Sequence, residues 1–497
     1  RSYMSTENSS TQNTASTKKL GVLALAGLVI SAMIGGGIFN LPQNMAQSAS
    51  AGAVGIAWII TGIGMYFLTN TFRVLSTVVP DAKSGIYSYA RLGFGKFVGF
   101  LMAWGYWLSA VFANVGYAIL LMDSLNYFFP PHFKGGNNLP SVIGGSILIW
   151  AMYFMIMAGV RQAASINMIG TIAKLVPIAL FILVSIFVFK FSMFHTNFWG
   201  DETIKSLHDV DLGNLGGQIK STMLVTLWSF IGIEGAVVIS DRAESQAAVS
   251  KATLIGFLLC LLSYMAISMP PFGNLSQGEL SVLAPPSTAP ILADVVGKWG
   301  SWFMNIGVII ALLSSWLVWT VLLAELPYAC AKDGTFPKVF AKVNKNGTPS
   351  FSLLVSSIAM QVTMIFVYFA SNAWNVMLSI TGVMILPAYI ASTLYLWKIA
   401  ATGQFPKNTT IKEKTALITG VLGSIYGAWL IYAAGLKYLV MASILFAIGI
   451  LVFDKARKEN KAANESTFTH AEKILAIGLT IVAIIALFLL ITKRVSL

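Results

Sequence analysis

Apolar segments long enough to cross a membrane recur from one end of this chain to the other. About 20 apolar residues in a helix span the hydrocarbon core of a bilayer, and a helix satisfies its own backbone hydrogen bonds there. Only 10% of the residues are charged. We therefore predict an all-α polytopic membrane protein with 12–13 spans, at approximately 20–46, 53–79, 94–127, 141–160, 165–190, 218–240, 251–272, 300–330, 350–370, 373–397, 415–434, 437–453 and 473–492.

The Lys and Arg residues lie mostly in short segments between these spans, so the net charge of +13 does not indicate nucleic-acid binding. If the chain starts inside the cell, the inner loops receive most of these cations. The positive-inside rule then predicts a cytoplasmic N-terminus. We expect the protein in the cell (inner) membrane. Residues 1–19 are predicted to form a disordered cytoplasmic N-terminus. Because no small-residue cleavage site follows, we expect a retained first span and not a signal peptide.

The first predicted span contains Gly35-Gly-Gly37, followed by Pro42. Three glycines and a proline cannot form a stiff helix. Unwinding would free N–H groups at the start of a half-helix, where the partial positive charge suits a carboxylate. The alternative is close helix packing through small residues. The glycine cluster alone favours the packing interpretation.

The sixth predicted span contains Thr226-Leu-Trp-Ser-Phe-Ile-Gly-Ile-Glu-Gly235. Glu234 is a carboxylate near mid-bilayer, which costs roughly 2.5–3.5 kcal/mol unless it faces protein or water. Gly232 and Gly235 weaken the helix, and Trp228 lies deep in the span, away from the interface where Trp is common. An interrupted helix beside an aromatic ring and an acid is typical of a transporter site. A glycine packing seam with a paired Glu234 is the alternative.

Two interrupted spans at positions one and six are what two inverted five-helix repeats would produce, with the site between them at the midplane. This spacing predicts a first repeat at 20–190, an extracellular or periplasmic loop at 191–217 and a second inverted repeat at 218–397. Additional C-terminal transmembrane helices would then occupy 398–497. Sequence identity between the two halves is not visible, so the prediction depends on spacing.

Polar residues mark the third span, where Tyr106, Ser109, Asn114 and Tyr117 recur at roughly helical spacing together with Ala110. They could line a site or form interhelical hydrogen bonds, which are worth about 0.6 kcal/mol each. In the fifth span, Lys174 is a mid-span cation that needs acceptors. We interpret Lys174 as a fixed internal cation and not as part of the substrate path.

Two later spans also carry candidates. Trp319, in the eighth span, could offer its ring to a cation, although a packed core tryptophan is the more common role. The tenth span carries Ser379, Thr381, Gly382 and Pro387, which are polar and flexible enough to line a cavity or form a hinge.

Several stretches resemble a known family: Gly35–Pro42, Pro80–Tyr89, Ala103–Ser109, Leu227–Glu234, Ala331–Pro337 and Asn346–Pro349. In this order they resemble the amino acid–polyamine–organocation transporters, and within them the basic amino acid antiporters. Within this group, the motifs resemble most strongly those of the bacterial arginine/ornithine exchangers. The resemblance implies a ten-helix inverted-repeat core that exchanges an amino acid for its metabolic product by alternating access, most simply arginine for ornithine.

The resemblance also implies roles for individual residues. The amides around Gly35, Gly36 and Gly37 would take the substrate carboxylate, and the carbonyls of Met33 and Ile231 would hold its amine. Trp319 would lie against the distal cation and Trp228 would act as a lid. The side-chain end would contact Ser109, Ala110 and Asn114. Tyr106 and Glu234 would belong to gating or pH coupling, and Lys174 would occupy the sodium position of sodium-dependent relatives. Ala32, Tyr117, Ser229 and Ser379 complete the predicted substrate-binding set.

This chain departs from the arginine/agmatine exchangers in four places. It has Ala32 where they have Asn, Gly36 where they have Ser, Tyr117 where they have Met and Ser109 where they have Ala. These departures favour ornithine, or another product, over agmatine. The decarboxylation-linked exchangers (histidine/histamine, lysine/cadaverine, arginine/agmatine) remain the alternative, with proton linkage.

Other classes fit less well. Membrane enzymes usually carry His, paired Asp or a metal set within their spans, whereas His132, His195, His208 and His470 lie outside the predicted spans. Two interrupted helices argue against a receptor, and the chain lacks the repeated pore loop of a channel. Cys260 and Cys330 lie in or beside apolar segments, so no disulfide framework, metal or cofactor is predicted. The expected partners are a cationic substrate and the bilayer. The sequence does not decide between a monomer and a homodimer.

Overall fold

The computed structural model describes residues 19–82, 86–159, 163–201, 210–238 and 243–495. The predicted disordered N-terminus, except Lys19, lies outside these residues. So do 83–85 of the Pro80–Tyr89 stretch and 202–209 of the predicted 191–217 loop.

Helix occupies part of every predicted span, which confirms the all-α class. The first span has two pieces, Val22–Met33 and Leu41–Ala46, and the sixth has Leu215–Ser229 and Gly235–Val238. The remaining spans, in chain order, are Ala51–Val78, Lys96–Asn126, Leu139–Met157, Ala163–Phe187, Gln246–Ser268, Lys298–Lys332, Ser350–Val367, Ala373–Ala401, Glu413–Ala434, Leu436–Asn460 and His470–Ile491. Shorter helices in the connections are Ile86–Phe94, Phe191–His195, Gln277–Ser281 and Thr288–Val296.

In the described part of the chain, 11 helices are long and apolar enough to cross a membrane, and the bent first span brings the number to 12. The sixth span falls short of this test because its longer helix has only 15 residues before the break. The thirteenth span is a helix of 22 residues. The chain is therefore a multi-pass membrane protein.

The first span is broken where the glycines predicted it. Helix ends at Met33, a 3-10 turn runs over Gly36–Asn40, and the two helical pieces are bent by 51°. Pro42 lies in the first turn of the second piece, where its missing N–H costs nothing.

The sixth span is broken between Ser229 and Gly235, as predicted. Gly232 has φ +110°, a conformation that other residues adopt at a cost. A Cβ built on Gly232 would lie 2.9 Å from the carbonyl oxygen of Ala32. The backbone of the sixth span therefore touches that of the first span where both helices are interrupted, and only glycine permits this approach.

The last three spans pack against helices of the first ten and against one another. Gly420, in the eleventh span, approaches the backbone of Trp397 in the tenth, and Gly449, in the twelfth, faces the Trp104 ring of the third. The thirteenth span contacts mainly the twelfth, and only 17% of its apolar window is buried. Most of its surface therefore remains for lipid.

Candidate functional site

A cavity lies beside the two helix breaks. The empty space between its side chains, including the part open to solvent, is about 450 Å³. It is lined by Ala32, Met33, Tyr106, Ser109, Ala110, Ala113, Tyr117, Trp228, Ile231, Trp319, Thr381 and Ile385. Four aromatic rings and no charged side chain are among these described residues. A charged ligand would therefore meet ring surfaces, backbone groups and hydroxyls.

The three glycines of the first span are needed because they leave room for neighbouring side chains and not because of unusual backbone angles, since none of them has a positive φ. A Cβ built on Gly35 would lie 2.5 Å from the hydroxyl oxygen of Tyr117. A Cβ on Gly36 would overlap Leu312, and one on Gly37 would overlap the ring of Trp228. Side chains from the third, eighth and sixth spans thus converge on the broken segment, so the glycines are both unwound and closely packed.

Glu234 lies behind the cavity and is only 1% exposed. Its carboxylate accepts hydrogen bonds from the hydroxyl of Tyr106 at 2.8 Å, the hydroxyl of Tyr389 at 2.9 Å and the N–H of Gly232 at 3.2 Å. Three donors meet the needs of a buried carboxylate, which would otherwise be costly. Because Tyr106 also lines the cavity, one hydrogen bond joins Glu234 to the cavity wall.

Lys174 is 3% exposed and lies outside the cavity lining. Its ammonium is 3.5 Å from the carbonyl oxygen of Ser31, in the last turn of the half-helix that ends at Met33. A cation is favourable there because the C-terminal end of a helix carries partial negative charge.

A network of amide side chains covers the cavity on the side of Leu41–Ala46. The ring of Trp374 meets that of Trp228 edge-on, at a centroid distance of 5.6 Å, and its indole N–H donates to Asn44 at 2.9 Å. The amide of Asn44 donates to Asn375 at 2.9 Å. Asn40 also accepts from the N–H of Ser287 at 2.9 Å, which ties the first span to the loop before the eighth. The sixth and tenth spans and this loop thus close one side.

On the side opposite this amide network, charged and polar contacts hold the short helix Ile86–Phe94 against the ends of two spans. Arg91, on the short helix Ile86–Phe94, is 3.8 Å from Asp333, which also accepts from the hydroxyl of Tyr87 at 3.1 Å. Lys398 donates to the carbonyl of Gly93 at 2.6 Å. This helix therefore connects the ends of the eighth and tenth spans.

The structure brings most of the predicted site together. Predicted residues at the cavity are Ala32, Met33, Tyr106, Ser109, Ala110, Tyr117, Trp228, Ile231 and Trp319. Those that do not line it are Gly35, Gly36, Gly37, Asn114, Ser229 and Ser379. Ser229 donates to the carbonyl of Val225 in its own helix. Asn114 is fully buried, with its amide nitrogen 3.5 Å from Thr320.

Sequence reasoning missed several contributors. Ala113 and Ile385 line the cavity but carry no polar signal, and Thr381 was considered only as a cavity or hinge candidate. Tyr389 and Trp374 contact Glu234 and the amide network, respectively, and nothing in the local pattern distinguished them from packed aromatics. Within the described ranges, no group of three or more His, Cys, Asp or Glu side chains is placed to hold a metal ion.

Two broken helices that meet at an aromatic cavity are the architecture of a secondary transporter. The chain belongs to the amino acid permease family, whose profile matches residues 20–479, and it is a transporter and not an enzyme. It is 62% identical over 471 residues to a putative amino-acid transporter of Clostridium perfringens, covering 95% of this chain and 98% of that protein. It is 53% identical over 489 residues to the arginine/agmatine antiporter of Chlamydia pneumoniae, covering 98% and 100%. The arginine/agmatine antiporter of Chlamydia trachomatis is 53% identical over 482 residues, covering 97% and 98%.

Proposed function

We propose that this chain is a secondary-active antiporter that exchanges a cationic amino acid for a cationic metabolic product. Arginine is the expected amino acid. The observation that carries the proposal is the cavity at the two helix breaks, which is lined by Tyr106, Tyr117, Trp228 and Trp319 and by no charged side chain among the described residues. Aromatic rings attract a desolvated cation by roughly 2 kcal/mol without presenting a carboxylate that would trap it.

Binding would divide the substrate between backbone and rings. The amides of Gly36 and Gly37 would take the α-carboxylate, while the carbonyls of Met33 and Ile231 would hold the α-ammonium. Met33 would do so by giving up one of the hydrogen bonds that it accepts from Tyr264 and Gly35. The distal cation would lie against Trp319, near Ser109 and Thr381. Gly36, Gly37, Asn114 and Ser379 do not line the cavity, so each would contribute only after a movement of its span.

Alternating access would exchange the two closures described above. Loosening of the Trp228–Trp374–Asn44 side would open the cavity to one face, and loosening at Asp333 would open it to the other. Glu234 would couple the substrate to this change through Tyr106. The two inverted repeats at 20–190 and 218–397 are part of this proposal, with Lys174 as a fixed cation in place of sodium.

The two candidates for the counter-substrate are agmatine and ornithine. The names of the chlamydial relatives support agmatine, whereas the departures at Ala32, Gly36, Ser109 and Tyr117 led us to expect ornithine. Relatives with agmatine in their names are 53% identical to this chain, so we take agmatine as the first counter-substrate to test and ornithine as the second.

Charge distinguishes the two pairs. Arginine and ornithine each carry one net positive charge at neutral pH, whereas agmatine has lost its carboxylate and carries two. Exchange of arginine for ornithine would therefore be electrically neutral. Exchange for agmatine would move one charge per cycle, worth about 2.3 kcal/mol per 100 mV.

The test is exchange in proteoliposomes that contain agmatine, ornithine, cadaverine, histamine or no amine. Uptake of radiolabelled arginine is followed with and without an imposed membrane potential and a proton gradient. Potential-dependent uptake against internal agmatine would support the first pair, and potential-independent uptake against ornithine the second. Absence of arginine uptake under every loading would refute the cationic assignment and leave only amino acid transport.

We further place the protein in the cell (inner) membrane with its N-terminus in the cytoplasm. Accessibility of an engineered cysteine near Lys19 to an impermeant reagent, in intact cells and after lysis, tests this orientation. Whether two copies associate is tested by cross-linking in the membrane.

A further inference from the structure

The hydroxyl of Tyr117 has no partner in the part of the chain that the structure describes. Tyr117 lines the cavity and is 5% exposed, and its hydroxyl makes no hydrogen bond to any described residue. The neighbouring Tyr264 differs, because its hydroxyl donates to the carbonyl of Met33 at 3.2 Å. Buried phenols usually find a partner, and the contents of the cavity that Tyr117 lines can supply one.

The position of this hydroxyl indicates which part of a ligand it meets. A Cβ built on Gly35 would lie 2.5 Å from the hydroxyl oxygen, so the phenol reaches the broken segment of the first span. The carbonyl of Met33, on the same segment, already accepts from Tyr264 and from the N–H of Gly35 at 2.9 Å. A phenol can donate to a carboxylate, and such charge-assisted bonds are about twice as strong as neutral ones.

We propose that Tyr117 determines specificity by donating its hydroxyl hydrogen to the α-carboxylate of the bound amino acid. A decarboxylated amine lacks this acceptor and leaves the hydroxyl to water. The residue thus discriminates between the two partners of the exchange while leaving the recognition of the side chain to the rings. The inference rests on the proposed function only in assuming an amino acid ligand, and not on which amino acid it is.

The test is the Tyr117→Phe variant, which keeps the ring and removes only the hydroxyl. KM for arginine and KM for agmatine are measured separately in proteoliposomes for the wild type and the variant. We expect KM for arginine to rise about 10- to 100-fold, the value of a hydrogen bond to a charged group. KM for agmatine should stay within about threefold, since no bond to the amine is lost.

Tyr264→Phe is the matched control, because it removes a buried phenol that bonds to the protein and not to the cavity. We expect it to change both KM values in the same direction. Thermal unfolding of all three proteins in detergent identifies any loss of folding. An equal rise for arginine and agmatine in Tyr117→Phe, or no change in either, overturns the proposal.

Failure of the proposed function gives a different result. If the wild type transports neither arginine nor agmatine, a thermal-shift screen of the common amino acids identifies the ligand. The same comparison is then made between that amino acid and its decarboxylated amine. Selective loss of the carboxylated partner supports the role of Tyr117 even then, and a protein that binds no amino acid overturns both proposals.

Discussion

Replacing Gly36 by alanine tests whether the broken first span depends on missing side chains. A Cβ at this position would overlap Cδ2 of Leu312 and lie 2.8 Å from its Cγ. Ordinary carbon–carbon contacts are about 3.5–4.0 Å, so the fully buried Leu312 would have to move by about 1 Å or more. Such overpacking typically costs about 1–3 kcal/mol. We expect Gly36→Ala to unfold at a lower temperature than the wild type and to bind arginine more weakly.

A double-mutant cycle provides the assay. Gly36→Ala, Leu312→Ala and the combination are compared by thermal unfolding in detergent and by arginine affinity. Leu312→Ala alone should cost about 2–5 kcal/mol. In the combination the new methyl occupies part of the space that Leu312 vacates, so the total loss should be smaller than the sum of the single losses, by about 1–3 kcal/mol.

The control is Gly27→Ala in the same span, in the helix Val22–Met33 before the break, where a Cβ would meet no atom within 4 Å. It should be neutral or slightly stabilising, because alanine is the better helix former. The reasoning fails if Gly36→Ala behaves like Gly27→Ala, or if the losses of the two single variants simply add.

Substitutions at Trp319, Tyr389 and Asn44 test the cation site, the hydrogen bonds to Glu234 and the closure beside Leu41–Ala46, in that order. Trp319→Leu should weaken arginine binding about 30-fold, the equivalent of roughly 2 kcal/mol, whereas Trp319→Phe should retain part of the affinity. Equilibrium binding of arginine to both variants tests this. Tyr389→Phe removes one of three donors to Glu234 and should lower the unfolding temperature and the exchange rate. Tyr395→Phe is the control, because the hydroxyl of Tyr395 has no hydrogen bond among the described residues, and it should change neither the unfolding temperature nor the exchange rate. Equal effects of the two variants would contradict the role of the hydrogen bond between Tyr389 and Glu234. Asn44→Ala removes both hydrogen bonds between Asn44 and the tenth span, which are worth about 1 kcal/mol each. It should increase the labelling of a cysteine placed in the cavity, by a reagent added on the side of Leu41–Ala46, by about 10- to 30-fold. Unchanged labelling would refute the part of Asn44 in the closure.

The location of the spans and of both breaks could be predicted from the sequence. An apolar segment of about 20 residues has few structural options in a bilayer, so length and composition identify a span. Gly35–Gly37 with Pro42, and Gly232 with Gly235, interrupt helix for local reasons that do not depend on the rest of the fold. Glu234 was conspicuous because a mid-span carboxylate needs partners.

The composition of the site was harder to predict, because a transmembrane helix is apolar on its lipid face and on its protein face alike. The periodic contrast that identifies the inner face of a soluble helix is therefore weak here. In the third span, the predicted stripe consisted of Tyr106, Ser109, Ala110, Asn114 and Tyr117, and all of these except Asn114 line the cavity. Asn114, one turn away from Ala110 and Tyr117, is buried beside Thr320.

The tertiary structure alone decided which side chains meet. Tyr106, Glu234 and Tyr389 come from three spans, and their hydrogen bonds join residues 128 and 155 positions apart. The bond between Asn44 and Trp374 joins residues 330 positions apart. No local pattern encodes such pairs, because each depends on how whole helices cross. The sequence by itself thus determined a membrane transporter with two broken spans, and helix packing decided which aromatic, hydroxyl and amide groups surround them.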